Sequence, residues 1–315
     1  MATTGAYPPT PSASPTAVTT VRADVFNPLV WSNEIVASYK ANLVLGSTVT
    51  VFNHQGKKGD SITIPTPTRA TANAKAANTA VTLIANTETA LTFNIDSHYE
   101  YSRLIEDFAA VQALDSLRMF YTDDAGYALA TQIDDDLIAL GRGLQGGSGT
   151  AAYNKGVIAG DGTTAYTDGT DNASALTDAG IRQMMQTLDD QNVPMSGRYM
   201  VIPPLAKNTL LGLRRFTEQA FVGEVGMANS VRNGRIGNVY GAEVLVSTNC
   251  DTTTSGGNRV GLLYHRSAFA LIEQVGVRVQ TQYKQEYLAT LMTADTIYGT
   301  GELRNDGGVA FVILA

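Results

Sequence analysis

One stretch of this 315-residue chain constrains the fold more than any other. Leu104, Phe108, Val111, Leu114, Leu117, Tyr121, Ala125, Leu129, Ile133, Leu137 and Leu140 follow one another at steps of three or four. Ten steps span 36 residues, an average of 3.6, so the spacing predicts one helix from Leu104 to Leu140. At 1.5 Å per residue that helix would be about 55 Å long. The glycines of "GRGLQGGSG" (141–149) end it. A coiled coil would hold a 3.5-residue repeat, and this stripe drifts off that value.

Ahead of the helix the period is two. "STVTVFN" and "SITIP" alternate, "GKKGD" between them is a turn, and "TALTFNID" places Leu91, Phe93 and Ile95 on one face. With the polar "TPTRATANAKAANTA" between the strands, this predicts a long two-stranded excursion with a soft tip. A lone ribbon is marginal in water, so it should lie on its own domain or on a neighbour. Residues 1–20 carry no charged side chain and are rich in Thr, Pro, Ser and Ala. They read as a disordered tail, or as an arm that orders against a neighbouring subunit. "NPLVWSNEIVASYKANLVLG" (27–46) then reads as a short amphipathic helix ending at Gly46.

Beyond the long helix comes an irregular Gly/Thr/Asp-rich loop (151–174). "LTDAGIRQMMQTLDDQN" predicts a second helix capped by Thr177, with Asn192 and Pro194 at its end. "GRYMVIPP" reads as a short buried strand, "LAKNTLLGL" and "RSAFALIEQ" as short helices, and "GGVAFVILA" as a closing strand. The stretch "RFTEQAFVGEVGMANSVRN" fits neither period. "GRIGNVYGAEVLVSTN" raises the question of a phosphate loop. Such loops run strand, glycine turn, helix, so that helix N-terminal amides face the anion. Here Gly234, Gly237 and Gly241 precede a strand, with Tyr240, Ala242, Val244 and Val246 assigned to one face. The stretch is a turn feeding a strand.

Composition narrows the function. Apolar residues make up 44% and charged residues 16%, against about 25% charged in ordinary soluble domains. A surface of Thr, Ser, Asn and Gly suits a protein largely covered by neighbours, although secreted β-proteins share it. A net charge of −7 argues against a dedicated nucleic-acid binder, while leaving room for loose contact through local basic residues. The single cysteine, Cys250, excludes an intrachain disulfide framework and a cysteine-based zinc site, and fits assembly in a reducing cytoplasm. No apolar run reaches the ~18–20 residues of a membrane span. The N-terminus lacks the basic and apolar regions of a classical export signal.

Catalytic signals are missing. The three histidines, His54, His98 and His265, belong to no metalloprotease motif, and neither a G-x-S-x-G elbow nor a phosphate-loop motif occurs. Asp123, Asp124, Asp134, Asp135 and Asp136 raise the question of a metal site. Adjacent carboxylates on a helix point about 100° apart, so the run reads as a solvated acidic face. No catalytic residue, cofactor or metal ligand is assigned. Charge is nevertheless unevenly placed. The excursion carries Lys57, Lys58, Arg69 and Lys75 against Asp60 and Glu88, whereas the helix carries eight acids against Arg118. Those acids include Glu106, Asp107, Asp115, Asp123 and Asp124. The plain reading is two solvated faces. The functional reading lays the basic excursion of one copy across the acidic helix of another, with these nine residues as contact candidates.

The order of elements resembles the major capsid proteins of tailed double-stranded DNA bacteriophages, the HK97-like fold. The most specific stretch is "FNIDSHYEYSRLIEDFAAVQALDSLRMFYTDDAGYALATQIDDDLIA" (93–139). Its Ile95, Asp96, Tyr99, Ile105, Asp107 and Gln112 match a pattern in which a strand enters a long spine helix. A second match lies in Gly234, Ile236, Gly237, Tyr240, Gly241, Val244 and Ser247. The resemblance implies an α+β fold with an N-terminal arm (1–46), an extended β E-loop (47–97), and a P-domain with spine helix and following loop (98–175). A mixed A-domain (176–270) and C-terminal strands returning to the P-domain (271–315) complete it. The implied role is structural. Hexamers and pentamers would form an icosahedral shell in the host cytoplasm, with scaffolding and portal proteins, packaged DNA in weak contact, and room for a decoration protein. Some members cross-link through an E-loop lysine, for which Lys57, Lys58 and Lys75 are the candidates here. The alternatives are an encapsulin-type compartment shell and, from another class, a secreted β-rich adhesin or surface-layer protein.

Overall fold

In the computed structural model the described residues are 44–56, 58–67, 70–84, 88–107, 116–146, 157–167, 172–213, 236–254 and 256–314. The strand period runs further toward the helix than the apolar stripe implies. β1 (Thr50–Asn53) lies parallel to β10 (Phe269–Lys284), which pairs antiparallel with β11 (Ala289–Glu302). β11 in turn pairs antiparallel with β4 (Ser97–Glu106), from Tyr298 opposite Ser97 to Ala289 opposite Glu106. Leu104 is therefore a strand residue and does not begin the helix. Tyr99, Tyr101, Arg103 and Ile105 alternate through this segment, and a ten-residue ladder outweighs one coincident helical step.

The long helix is α2 (Ser116–Ala139), 24 residues or about 36 Å. Its stripe holds in Ala125, Leu129 and Leu137, all buried, with Ile133 packed beside them. Phe108, Val111 and Leu114 of the expected helix lie outside the described residues. Leu140–Gly146 continues as a tighter 3-10 turn that breaks at Leu144 (ψ 147°) and Gln145 (φ 56°). α2 packs on the four-stranded sheet through Ala125, Leu129, Ala294 and Tyr101. The expected helix at 27–46 lies outside the described residues up to 43. What is described there is a single turn, α1 (Leu45–Thr48).

A second sheet of six strands has the order β5 (Ile158–Ala159), β12 (Gly308–Ile313), β9 (Arg259–His265), β6 (Arg198–Ile202), β8 (Ala242–Val246) and β7 (Asn238–Val239). The predicted helix after Thr177 is α3 (Asp178–Asp190), and the Thr177 hydroxyl accepts from the Gly180 N–H at 3.0 Å. α4 (Pro204–Gly212) follows β6. Ile181, Met184, Leu188, Met200, Leu263 and Phe311 form one continuous core.

Two further expectations need correction. "RSAFALIEQ" is not a helix: Phe269–Gln274 opens β10, and Phe269, Ala270, Leu271 and Ile272 are all buried. A short apolar run buried on both faces carries no period, so spacing cannot separate strand from helix. Tyr240 is not on a strand. With Gly241 it forms a two-residue hairpin turn between β7 and β8, at φ 49° and 87°, the doubly left-handed geometry that favours glycine. Within 271–315, β10 and β11 join β4, whereas β12 crosses to the six-stranded sheet, where all six of its residues are buried.

Candidate assembly surfaces

The excursion is a real ribbon. β2 (Ser61–Pro67) and β3 (Glu88–Asn94) pair over seven residues, and exposed threonine hydroxyls meet across the two strands, Thr63 with Thr92 on one face and Thr66 with Thr89 on the other. Its base is seated on the subunit. Phe93, Ile62, Ile64 and Leu91 pack with Ala270, Ile272 and Phe52. Two glycines of β11 allow that approach. A Cβ at Gly301 would stand 2.2 Å from the Phe93 ring, and one at Gly299 would stand 2.4 Å from the Asn94 carbonyl oxygen. Among the described residues between Pro67 and Glu88 no strand forms, and residues 70–84 are exposed throughout. Val81 and Leu83 are 75% and 93% exposed. Lys75 lies in this tip and Lys58 in the turn before β2, both exposed, whereas Lys57 and Arg69 lie outside the described residues.

The acidic helix face is not simply solvated. Each carboxylate points its own way, as the helical spacing demands, and finds a different partner. Asp124 accepts from the Tyr101 hydroxyl at 2.8 Å, and Asp136 from the Tyr298 hydroxyl at 2.5 Å. Asp135 accepts from Asn249, and the buried Asp134 accepts from the backbone of Val44 and Leu45. These acids fasten α2 to β4, β11, α1 and the loop after β8. Burial, aided by the Asp136 carboxylate, pushes the Tyr298 phenol well above its usual range, so it donates at any physiological pH. Of the named contact candidates, Glu106 and Asp123 are exposed and Asp107 accepts from the Tyr283 hydroxyl at 2.6 Å, while Asp115 lies outside the described residues.

One exposed surface escaped the sequence reading. β1 covers β10 only from Ala270 to Glu273. Farther along, Val277, Val279 and Tyr283 are exposed, as are Tyr287 and Leu288 at the hairpin tip. The alternation in "VGVRVQTQY" was its available signal. On the opposite face Arg278 donates twice to Asp295, both at 2.8 Å, with His98 3.4 Å from the same carboxylate. Arg278 holds the Asp295 carboxyl below the usual carboxylate range. Among the described residues no three His, Cys, Asp or Glu side chains gather as a metal site would require. No described helix is long and apolar enough to cross a membrane.

Comparison with known proteins places this arrangement. A family model described as phage capsid protein matches residues 36–312. Among solved structures, one of Mycobacterium phage Che8 is 25% identical with a TM-score of 0.70, covering 91% of this chain and 97% of that chain. The capsid of cyanophage P-SCSP1u is 18% identical at a TM-score of 0.71, covering 93% and 94%. One of Gordonia phage Cozz is 15% identical at 0.67, covering 99% and 98%. Among curated proteins none matches. The chain belongs to the phage capsid protein family, the structural proteins that build the shell of a virion.

Proposed function

We propose that copies of this subunit close as hexamers and pentamers into the icosahedral head of a tailed phage, around packaged double-stranded DNA. The observation that carries this is the ribbon tip. Residues 70–84 are exposed throughout, with Val81 and Leu83 among the most exposed apolar side chains described. Exposed apolar segments of this kind are covered by a partner in the working state. In this reading the ribbon is the E-loop (47–97), α2 is the spine of the P-domain (98–175), and the region of β6, β8 and β9 is the A-domain (176–270). The residues after 270 serve both sheets. The subunit acts without catalysis, assembles in the host cytoplasm, and works with scaffolding and portal proteins and with a decoration protein where one is used.

The basic side of the ribbon sets the register against acidic groups of a neighbour, among which Glu106 and Asp123 are exposed. Single exposed pairs are worth little, but the same pair repeated around a closed shell selects one geometry. Negative-stain microscopy of the purified protein, with and without a scaffold, should show closed shells or capsomers. Reversing Lys57, Lys58 and Lys75 to Glu should abolish shells while leaving the thermal midpoint of the dispersed subunit unchanged. A wild-type protein that stays monomeric at high concentration sinks the assembly reading. Shells that survive the triple reversal sink only the charge pairing.

A further inference from the structure

The chain enters its described fold through a joint held by one carboxyl group. α1 is a single turn whose N-cap residue, Val44, supplies no side-chain cap. The backbone N–H groups of Val44 and Leu45 instead donate to Oδ1 of Asp134 on α2, at 3.3 and 2.8 Å, across some 90 residues of sequence. Thr48, at the end of the turn, meets the Tyr264 hydroxyl of β9 at 2.5 Å. This one turn is therefore tied to both α2 and the six-stranded sheet.

Asp134 is 2% exposed, and its other oxygen, Oδ2, is a buried acceptor without a hydrogen-bond partner. The apolar cluster at the joint holds Val44, Leu45, Leu137, Cys250 and Tyr264. An ionised carboxylate with one oxygen unpaired in such a place is costly, whereas a neutral carboxyl carries its proton on that oxygen. Asp135 and Asp136 flank it on α2, and Asp251 follows Asn249 and Cys250 in the facing loop. Among the described residues two cations lie on that side: Arg142, which pairs with Asp251 at 2.8 Å, and Arg259 on β9, which donates to the Cys250 carbonyl at 3.3 Å. Tyr264 and Cys250 stay neutral, the thiol pushed up to about 12 by burial. Burial likewise raises the Asp134 carboxyl, and the N–H groups of Leu45 and Val44, with the Asn249 side chain and the Gly46 N–H, only partly offset it.

We propose that Asp134 is a proton-operated latch whose neutral carboxyl seats Val44–Thr48 on α2 and whose ionisation releases that turn. Ionisation breaks only the O–H bond at Oδ2 and passes the proton to water. The new charge must then be hydrated, which the closed joint prevents and the lifted turn allows. The sign follows from linkage. A carboxyl raised in the folded state stabilises the joint fully below its ordinary pKa, and that contribution is lost as pH rises through the folded value. The latch holds in acid and opens toward alkali.

The test uses the full-length, dispersed subunit and its Asp134→Asn variant, which keeps an acceptor for Val44 and Leu45 but cannot ionise. Hydrogen exchange at the Leu45 amide is followed from about pH 5 to about pH 9, a range starting above the ordinary carboxylate pKa. Wild-type protection, divided by that of the variant at each pH, should fall about tenfold per unit from about pH 5 up to the folded pKa, where the opened turn has lost a proton that the seated one keeps, and should level off above it. A ratio constant with pH overturns the latch. If the variant does not fold, NMR titration of the Asp134 carboxyl carbon in the wild type decides. A midpoint well above the ordinary ~3.9 supports the latch, and one at or below it overturns the latch. Neither readout depends on shells forming, so the latch and the assembly reading fail separately.

Discussion

The two sheets of this subunit are built to different ends. In the six-stranded sheet, β12 buries all six of its residues, and Phe311 reaches Gly261 of β9 so closely that a Cβ there would stand 2.4 Å from the ring. The four-stranded sheet begins the same way. Phe269 to Ile272 are buried and Tyr298 is tied to Asp136, but its far half leaves Val277, Val279 and Tyr283 exposed. One sheet completes its core within the subunit. The other is complete at its base and unfinished at its far end, as is the ribbon seated on it. That difference separates the residues that make this chain fold from those available to bring copies of it together.

Substitutions should divide along the same line. Phe311→Ala in the finished sheet should lower subunit stability by about 3–5 kcal/mol, read by urea unfolding of the dispersed protein. A loss below about 1 kcal/mol would mean that this sheet is not the core of the subunit. Tyr298→Phe tests the base of the other sheet. It removes one hydroxyl that fastens β11 to α2 and should cost about 1–2 kcal/mol, with shells still forming from the protein that folds. The smallest effect on stability belongs to the far end. Leu83→Thr and Val279→Thr, singly or together, should change stability by no more than about 0.5 kcal/mol, yet lower the yield of shells in sedimentation. If these changes unfold the subunit instead, the contrast between the two sheets fails.

Much of this was legible in advance, and the physical reason is locality. The Thr177 cap, the alternation in the ribbon and the buried stripe through Ala125, Leu129 and Leu137 each depend on neighbours a few residues away. The glycine-rich stretch was read correctly as a turn entering a strand, because the order of elements excluded a phosphate loop. Tyr240 was misplaced there. Its left-handed conformation belongs to the turn, which type I′ geometry imposes and side-chain pattern does not reveal. "RSAFALIEQ" failed for another reason, because an apolar run buried on both faces reads alike as helix or strand.

The acidic helix marks the limit most clearly. From residue types and spacing, the carboxylates of α2 could be seen to splay and so to bind no metal together. That followed from the 100° turn between successive residues. What each one does instead depended on which distant groups the fold brought within reach. Asp124 meets Tyr101, Asp136 meets Tyr298, and Asp134 meets the backbone of Val44 and Leu45. By itself the sequence determined the α+β elements, the polar and sparsely charged surface, and the family to which the chain belongs. Only the tertiary structure decided that most of the acidic face is consumed within the subunit, that β12 crosses to the other sheet, and that one buried carboxyl holds the joint at Val44. Those are pairings between residues far apart in the chain, and no local period encodes them.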